Sequence, residues 1–259
     1  MIESWFGGLS PVGQAALGGA GTWFLTLLGA TPVLFVRRVN RKAMDGMMGA
    51  AAGIMVAAAC WSLLVPALEL GGVGPAVIGL GLGAALIAVF DRAVPHLHSE
   101  YPDEARPEGP AAVWRRSTLL MAAITIHNLP EGLAVGLGFG AGDLDRAVVL
   151  ALAIGLQNIP EGLAIALPLR RDGMSRWRAL WYGQLSAVIE PIAAVAGAAF
   201  VTLVSGLLPY GLAFAAGAML YVVVEELLPE TTRGGHVDVA TLGFVVGFAF
   251  MMALDQLAG

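Results

Sequence analysis

The sequence predicts an all-α polytopic membrane protein, and three observations support this prediction. Of the 259 residues, 58% are hydrophobic and 13% are charged, with a mean hydropathy of +0.78, a balance far from that of a soluble domain. The apolar residues fall into eight segments, each near the ~20 residues that span a bilayer core. The 35 glycines, many of them beside alanines, suit close packing between membrane helices.

The eight segments are predicted to be helices of a single transmembrane domain, residues 1–259. We place them at about 12–36, 44–68, 73–95, 114–139, 146–168, 178–204, 207–229 and 236–257. The connection 96–113 contains three prolines and four acidic side chains, which predicts a flexible loop with no fold of its own. A single cysteine, Cys60, excludes a disulfide within the chain. No cleavable signal is expected, because a basic region does not precede the first apolar segment.

The basic residues predict the orientation in the membrane. Thirteen of the 14 Lys and Arg residues flank the segments on one side, and only Arg146 lies on the other. The positive-inside rule makes the richer side cytoplasmic. Both termini are therefore predicted to face out.

One motif occurs twice, in the fourth and the fifth segments. It is HNLPEGLA at 127–134 and QNIPEGLA at 157–164, with six of eight positions identical. A carboxylate in a membrane helix costs about 3 kcal/mol or more, so the glutamate of each copy indicates a site. In each copy the first polar residue and the glutamate are four apart and share one helix face. The proline between them cannot donate a backbone hydrogen bond, so a kink frees carbonyl oxygens nearby.

These groups suit a metal ion. An imidazole, two carboxylates, amide oxygens and free carbonyls fit a borderline divalent cation such as Zn²⁺ better than an organic solute. The alternative is that each copy is a packing kink with a hydrogen-bonded polar neighbour. A packing kink does not require a second buried glutamate at the same offset, so the duplication favours a metal path.

The paired motifs, His127-Asn-x-Pro-Glu-Gly and Gln157-Asn-x-Pro-Glu-Gly, resemble the signatures of the ZIP (Zrt/Irt-like) divalent metal transporters, particularly the bacterial branch. The resemblance implies eight helices, with a two-metal transport site on the fourth and fifth. It also implies a homodimer, an elevator-like movement of one helix bundle against the other, and a bacterial inner-membrane location. The sequence departs from many members, which have His at the position of Gln157, and from some that have Asp at that of Asn158. The metal preference is therefore open.

A weaker repeat predicts the arrangement of the outer helices. Residues 51–55 (AAGIM) match 215–219 (AAGAM), and the leucine pairs at 63–64 and 227–228 fall at the same offset. The two segments run in opposite directions in the predicted topology. This pattern is typical of a 3+2+3 arrangement, with an inverted repeat of helices 1–3 and 6–8 around the central pair 4–5.

The candidate ligands fall into three sets. Glu190, followed by a proline in the sixth segment, is a third intramembrane acid, and the resemblance implies that the second helix, with Met55, lines the path. Two histidines in the 96–113 loop could capture metal weakly. The predicted two-metal site comprises His127, Asn128, Glu131, Gln157, Asn158, Glu161, Glu190 and Met55. A predicted inner metal stop comprises Asp45, Glu225, Glu226 and His236, and the loop histidines are His96 and His98.

The predicted function is transport of divalent transition-metal ions into the cytoplasm. Zinc is the first candidate, followed by cadmium, iron and manganese. The metal is cargo, and no cofactor and no nucleic-acid partner are expected. Two alternatives stay open. In one, an intramembrane metal hydrolase activates water, although such sites usually need several His and the membrane segments offer one, with no His-Glu-x-x-His motif. In the other, buried acids relay protons for a carrier of an organic solute.

Overall fold

The computed structural model describes residues 2–36, 39–93, 116–171 and 173–258, and these residues form helices joined by short turns. The all-α fold class is confirmed. The predicted loop 96–113, with His96 and His98, lies outside the described residues. The α-helices are α1 (Ile2–Gly7), α2 (Pro11–Ala30), α3 (Arg41–Ala57), α4 (Val65–Gly71), α5 (Val73–Ala93), α6 (Arg116–Gly140), α7 (Leu144–Arg171), α8 (Arg176–Leu185), α9 (Ile189–Leu203), α10 (Leu208–Val222), α11 (Leu228–Arg233) and α12 (Val237–Ala258).

Several of these helices join end to end into membrane-length spans. In the described part of the chain, seven spans are long and apolar enough to cross a membrane. The 25-residue α6, which contains the first motif, is not among those seven, so the number eight stays a prediction. The seven spans are Pro11–Leu34, Arg41–Gly71, Val73–Ala93, Leu144–Arg171, Arg176–Leu203, Ser205–Thr232 and Val237–Leu257.

Local sequence signals set where the spans begin. The Ser10 hydroxyl accepts a hydrogen bond from the Gly13 amide at 3.2 Å at the start of α2, and Asn40 caps α3 in the same way. Ser175 caps α8. Short polar side chains at these positions satisfy amide groups that have no partner within the helix. The caps therefore fix the helix starts on either side of the short connections.

Three spans are interrupted, which the sequence did not lead us to predict. A π-helical segment, Ala58–Leu64, separates α3 from α4, and a second, Val223–Leu227, separates α10 from α11. Each is followed at once by an Xaa-Pro pair that opens the next helix. A 3₁₀ turn, Ser186–Val188, precedes the Glu190-Pro191 pair. Proline removes a backbone donor and clashes with the carbonyl four residues back, so the preceding turn widens or tightens.

The helices pack in equivalent pairs. α3 lies against α12 and α5 against α10, while α6 lies against α9 and α2 against α7. The glycines of the AAGxM repeat have matching roles: a Cβ on Gly53 would overlap the Phe244 carbonyl of α12, and one on Gly217 would overlap the Leu80 carbonyl of α5. Glycine at these positions lets the backbones touch. The two copies thus occupy equivalent packing positions, while their inverted direction stays a prediction.

Burial places the motif helices at the centre. α7 is the most buried of the seven spans, and Val73–Ala93 and Val237–Leu257 are the most exposed. Helices that are apolar on all faces and still exposed suit contact with lipid. The polar motif therefore lies inside the bundle and not on its lipid-facing surface.

Candidate metal centre

His127, Glu131 and Glu161 meet in the middle of the bundle. One ligand atom from each lies within 4.8 Å of the other two, and all three side chains are buried. His127 Nε2 is 3.8 Å from Glu131 Oε1 and 3.6 Å from Glu161 Oε1. One imidazole nitrogen and two carboxylate oxygens at this separation can converge on a divalent cation.

The motif sequence explains this convergence. His127 and Glu131 are four residues apart on α6 and project from one face, as predicted. The motif glycines bring the neighbouring helices close: a Cβ on Gly132 would overlap backbone atoms of Glu190 on α9, and one on Gly162 would overlap the Thr26 carbonyl on α2. The glycine in each copy therefore serves helix contact beside the site.

Gln157 contributes an amide to the same cluster. Its Nε2 donates a hydrogen bond of 2.5 Å to Glu131 Oε1, and the side chain is fully buried. Its Oε1, the atom that would bind a metal, has no hydrogen-bond partner. Gln157 thus holds Glu131 in place through its amide nitrogen, while its amide oxygen makes no hydrogen bond and is available to a metal ion.

A second polar group lies between α7 and α9. Asn158 Nδ2 donates to both carboxylate oxygens of Glu190, at 3.0 and 2.9 Å, and lies 3.5 Å from the Thr22 carbonyl. Glu190 and Asn128 are both buried. The acid predicted in the sixth segment is therefore held beside the second motif copy by Asn158.

The centre contains metal-binding atoms that make no hydrogen bond. Buried polar atoms are normally hydrogen-bonded, because desolvation without compensation is costly. A cation would satisfy several of these acceptors at once, whereas a packing kink would not need them. The buried unpartnered atoms here are His127 Nε2, Glu131 Oε2, Gln157 Oε1, Asn158 Oδ1 and Glu161 Oε1.

A small cavity of about 60 Å³ opens beside His127. Glu226, from the π segment Val223–Leu227, places Oε2 3.5 Å from His127 Nδ1. Sequence reasoning missed Met48 and Glu230 as lining residues. Glu230 could have been found from its spacing of four from Glu226. The cavity is lined by Met48, Ile124, His127, Glu161, Ala164, Ile165, Glu226, Leu227 and Glu230.

The predicted inner stop does not assemble as one cluster. Asp45 Oδ2 lies 2.9 Å from His236 Nδ1, while Glu226 lies against His127 instead. Glu225 accepts a hydrogen bond from the Tyr221 hydroxyl at 3.1 Å. Adjacent residues on a helix point in different directions, so Glu225 and Glu226 could not both face Asp45.

Met55 is fully buried in α3. The methionine of that helix that lines the cavity is Met48, two turns earlier. Met55 therefore keeps its place as a predicted ligand only through the resemblance.

Comparison with known proteins identifies the family. Residues 91–255 match the family model described as ZIP Zinc transporter. The chain belongs to the ZIP family. It is 42% identical to Zinc transporter ZIP11 of Bos taurus over 96% of this chain and 98% of that protein. It is 41% identical to Zinc transporter GufA of Myxococcus xanthus over 90% of this chain and 94% of that protein. Zinc transporter ZIPB of Bordetella bronchiseptica is also 41% identical, over 96% of this chain and 82% of its own length.

The region of this ZIP protein that matches the family model includes the His, Glu, Gln and Asn residues of the candidate centre, while Met48 and Met55 precede it. Both motif copies, Glu190 and Glu226 lie within residues 91–255. The helices α2 and α3 precede that region, and they are included in the alignments that cover 96% of the chain. The family model therefore matches the part of the chain in which the polar atoms converge, and the relatives extend the match beyond it.

Proposed function

We propose that this chain transports divalent transition-metal ions, zinc first, through the centre formed by α6 and α7. The observation on which this proposal depends is the group of buried, unpartnered metal-binding atoms around His127, Glu131 and Glu161. Similarity to proteins named zinc transporters supports zinc as the cargo. Cadmium, iron and manganese are the other candidate ions, since imidazole and carboxylate ligands bind all four.

The size of the cavity separates a metal ion from an organic solute. Pockets for drug-sized molecules usually measure about 300–1,000 Å³, whereas the cavity beside His127 measures about 60 Å³. That volume holds a few water molecules or a partly hydrated ion. The organic-solute carrier is therefore disfavoured. The hydrolase alternative has no support either, because ZIP proteins are transporters.

We propose that the centre holds two ions bridged by Glu131 and Glu161. With Glu190, and with Glu226 at 3.5 Å from His127, four ionised carboxylates would leave about two negative charges uncompensated beside a single divalent ion, and buried unpaired charge is costly. Two divalent ions would balance all four carboxylates. Two ions ~4 Å apart repel unless carboxylates lie between them, as in two-metal sites generally. The first ion would be bound by His127 and Gln157 with the two bridging glutamates, and the second by Asn128, Asn158 and Glu190 with the same bridges.

The direction and setting of transport are also proposals. The asymmetry of basic residues supports a path into the cytoplasm, with both termini outside. A bacterial inner membrane, a homodimer and elevator-like movement follow from the resemblance alone. The chain would act as one transport domain, residues 1–259.

Metal counting on purified variants tests the two-ion centre. We expect two anomalous peaks in crystals with Cd²⁺, and two bound ions per chain by elemental analysis. Glu131→Ala and Glu161→Ala should abolish binding and uptake, whereas Glu190→Gln should lose one ion and keep slower uptake. The matched control is Asp238→Asn, because Asp238 is an exposed acid at the start of α12 and its loss should change neither count nor uptake. One peak at every Cd²⁺ concentration would contradict the paired site, and no metal-dependent uptake would contradict the function.

A further inference from the structure

Three carboxylates, those of Glu161, Glu226 and Glu230, line the cavity beside His127. Glu161 and Glu226 both lie within 3.6 Å of His127. Glu230 lines the same cavity and follows Glu226 by four residues, about one helical turn. The acids thus continue from the candidate metal centre along α11, away from the middle of the bundle.

The last of these carboxylates is already bound to a cation of the protein. Arg41 Nη2 lies 3.0 Å from Glu230 Oε1 and donates a hydrogen bond of 3.1 Å to the Glu230 carbonyl. The same guanidinium places Nε 2.7 Å from Asp45 Oδ1. Arg41 therefore connects the start of α3 to α11 through the carboxylate and the backbone carbonyl of Glu230, while Asp45 holds it on α3.

The position of Arg41 follows from helix spacing. Arg41, Asp45 and Met48 are at i, i+4 and i+7 on α3, so they share one face. Met48 lines the cavity, and Arg41 lies about 10 Å nearer the start of the helix at 1.5 Å per residue. Glu230 lines the cavity too, so its ion pair with Arg41 lies at the cavity wall.

A separate contact anchors the arginine. Asp45 is almost completely buried, at 1% exposure, and its second oxygen is 2.9 Å from His236 Nδ1. A Cβ on Gly234 would overlap this carboxylate, so the turn before α12 packs directly on it. If Glu230 were released, Arg41 would keep its partner Asp45 and would not be left as an unpaired charge.

We propose that Arg41 is the gate residue of the metal path: a tethered cation that neutralises Glu230 and closes the cavity until a divalent ion replaces it there. This inference rests on the proposed function. A guanidinium is always charged, and its planar donors match a carboxylate. A dication beside Glu230 has twice the charge of the guanidinium at a similar distance, so it can compete for that carboxylate. After the exchange the metal ion balances the charge of Glu230 and Arg41 balances that of Asp45. The ion can therefore advance without leaving either carboxylate unpaired.

Thiol labelling tests the gate without requiring metal transport. In a Cys60→Ala background, a Met48→Cys probe is placed in the cavity wall, and its rate of reaction with a charged maleimide is measured on purified protein without metal. Arg41→Gln and Glu230→Gln should each raise this rate about fivefold or more, the population shift expected when a partly buried ion pair is lost. Arg41→Lys should keep the rate near the parent value, because it restores a cation. The matched control is Lys42→Gln, an exposed neighbour, which should leave the rate unchanged.

The outcomes separate the gate from the proposed function. Equal labelling of the parent, Arg41→Gln and Glu230→Gln proteins would overturn the gate, even if vesicles containing the parent take up zinc. Increased labelling in both variants, with no metal-dependent uptake by the parent, would support closure of the cavity by the ion pair but overturn the proposed function, and with it the role of the cavity as a metal path. An equal increase in Lys42→Gln would also overturn the gate, since it would show a general loosening of α3. If Arg41→Gln does not fold, as judged by its melting temperature, Glu230→Gln decides the result.

Discussion

Replacing Gly162 with alanine should destabilise the bundle and weaken the metal centre together. A Cβ at this position would overlap the Thr26 carbonyl oxygen and come close to the Ala30 amide nitrogen. These are backbone atoms of α2 that cannot rotate away, so the helices must separate. Forced overpacking costs about 1–3 kcal/mol, and rigid backbone neighbours place this case near the upper end. Alanine recovers about 1 kcal/mol of helix propensity, which leaves a net loss of about 2 kcal/mol.

The matched control is Gly21→Ala on the same helix as Thr26. No atom lies within 4 Å of a Cβ built on Gly21, and the position is exposed. Only the propensity gain of about 1 kcal/mol should remain there. The two variants should therefore differ by about 3 kcal/mol, or roughly 6–12 °C in melting temperature at about 2–4 °C per kcal/mol.

Thermal melting and zinc titration of the detergent-purified proteins provide the assay. Gly162→Ala should melt below the parent and bind zinc more weakly, because separation of α7 from α2 displaces Glu161. Gly21→Ala should melt slightly above the parent and bind zinc normally. The reasoning would be refuted by a Gly162→Ala protein that melts at or above the parent temperature with unchanged zinc affinity.

Three further predictions concern topology, pH and a partly buried hydrogen bond. In a cysteine-free background, a cysteine at Ser99 should react only from the cytoplasm and one at Gly142 only from outside; the opposite pattern would reverse the orientation. Metal binding at the candidate centre should weaken from pH 7.5 to 5.5, because metal must displace protons from its ligands, and unchanged titrations would contradict the ligand set. Ser62→Ala should lower stability by about 1–3 kcal/mol, since the Ser62 hydroxyl lies 2.6 Å from the Asp255 carboxylate, which would lose its donor. The control Thr202→Ala, at an exposed hydroxyl, should change thermal stability little.

Sequence spacing predicted the part of the centre that depends on one helix. His127 and Glu131 share a face because they are four residues apart, and the duplicated motif placed a second glutamate at the same offset. The fold class was predictable for a similar reason, since membrane spans need long apolar segments. In both cases the information is local in the chain.

The remaining contacts depend on tertiary packing. Glu226 lies beside His127 because a π segment rotates it away from the direction of a regular α-helix, and no sequence period predicts that rotation. Asp45 pairs with His236, although these two residues are separated by 191 positions in the chain. From the sequence, Glu225 and Glu226 are predicted to lie in one cluster. In the structure Glu225 contacts Tyr221 and Glu226 contacts His127.

The contact between His127 and Glu226 joins two sets of helices. His127 lies on α6, which packs with α9, whereas Glu226 continues from α10, which packs with α5. A slide of one set past the other by a single turn, about 5.4 Å, would remove this carboxylate from the imidazole and change the charge around a bound ion. Ion affinity would then differ between the two arrangements, and by thermodynamic linkage the ion would shift the equilibrium between them. Cargo occupancy and bundle position would in that way be coupled through one 3.5 Å contact.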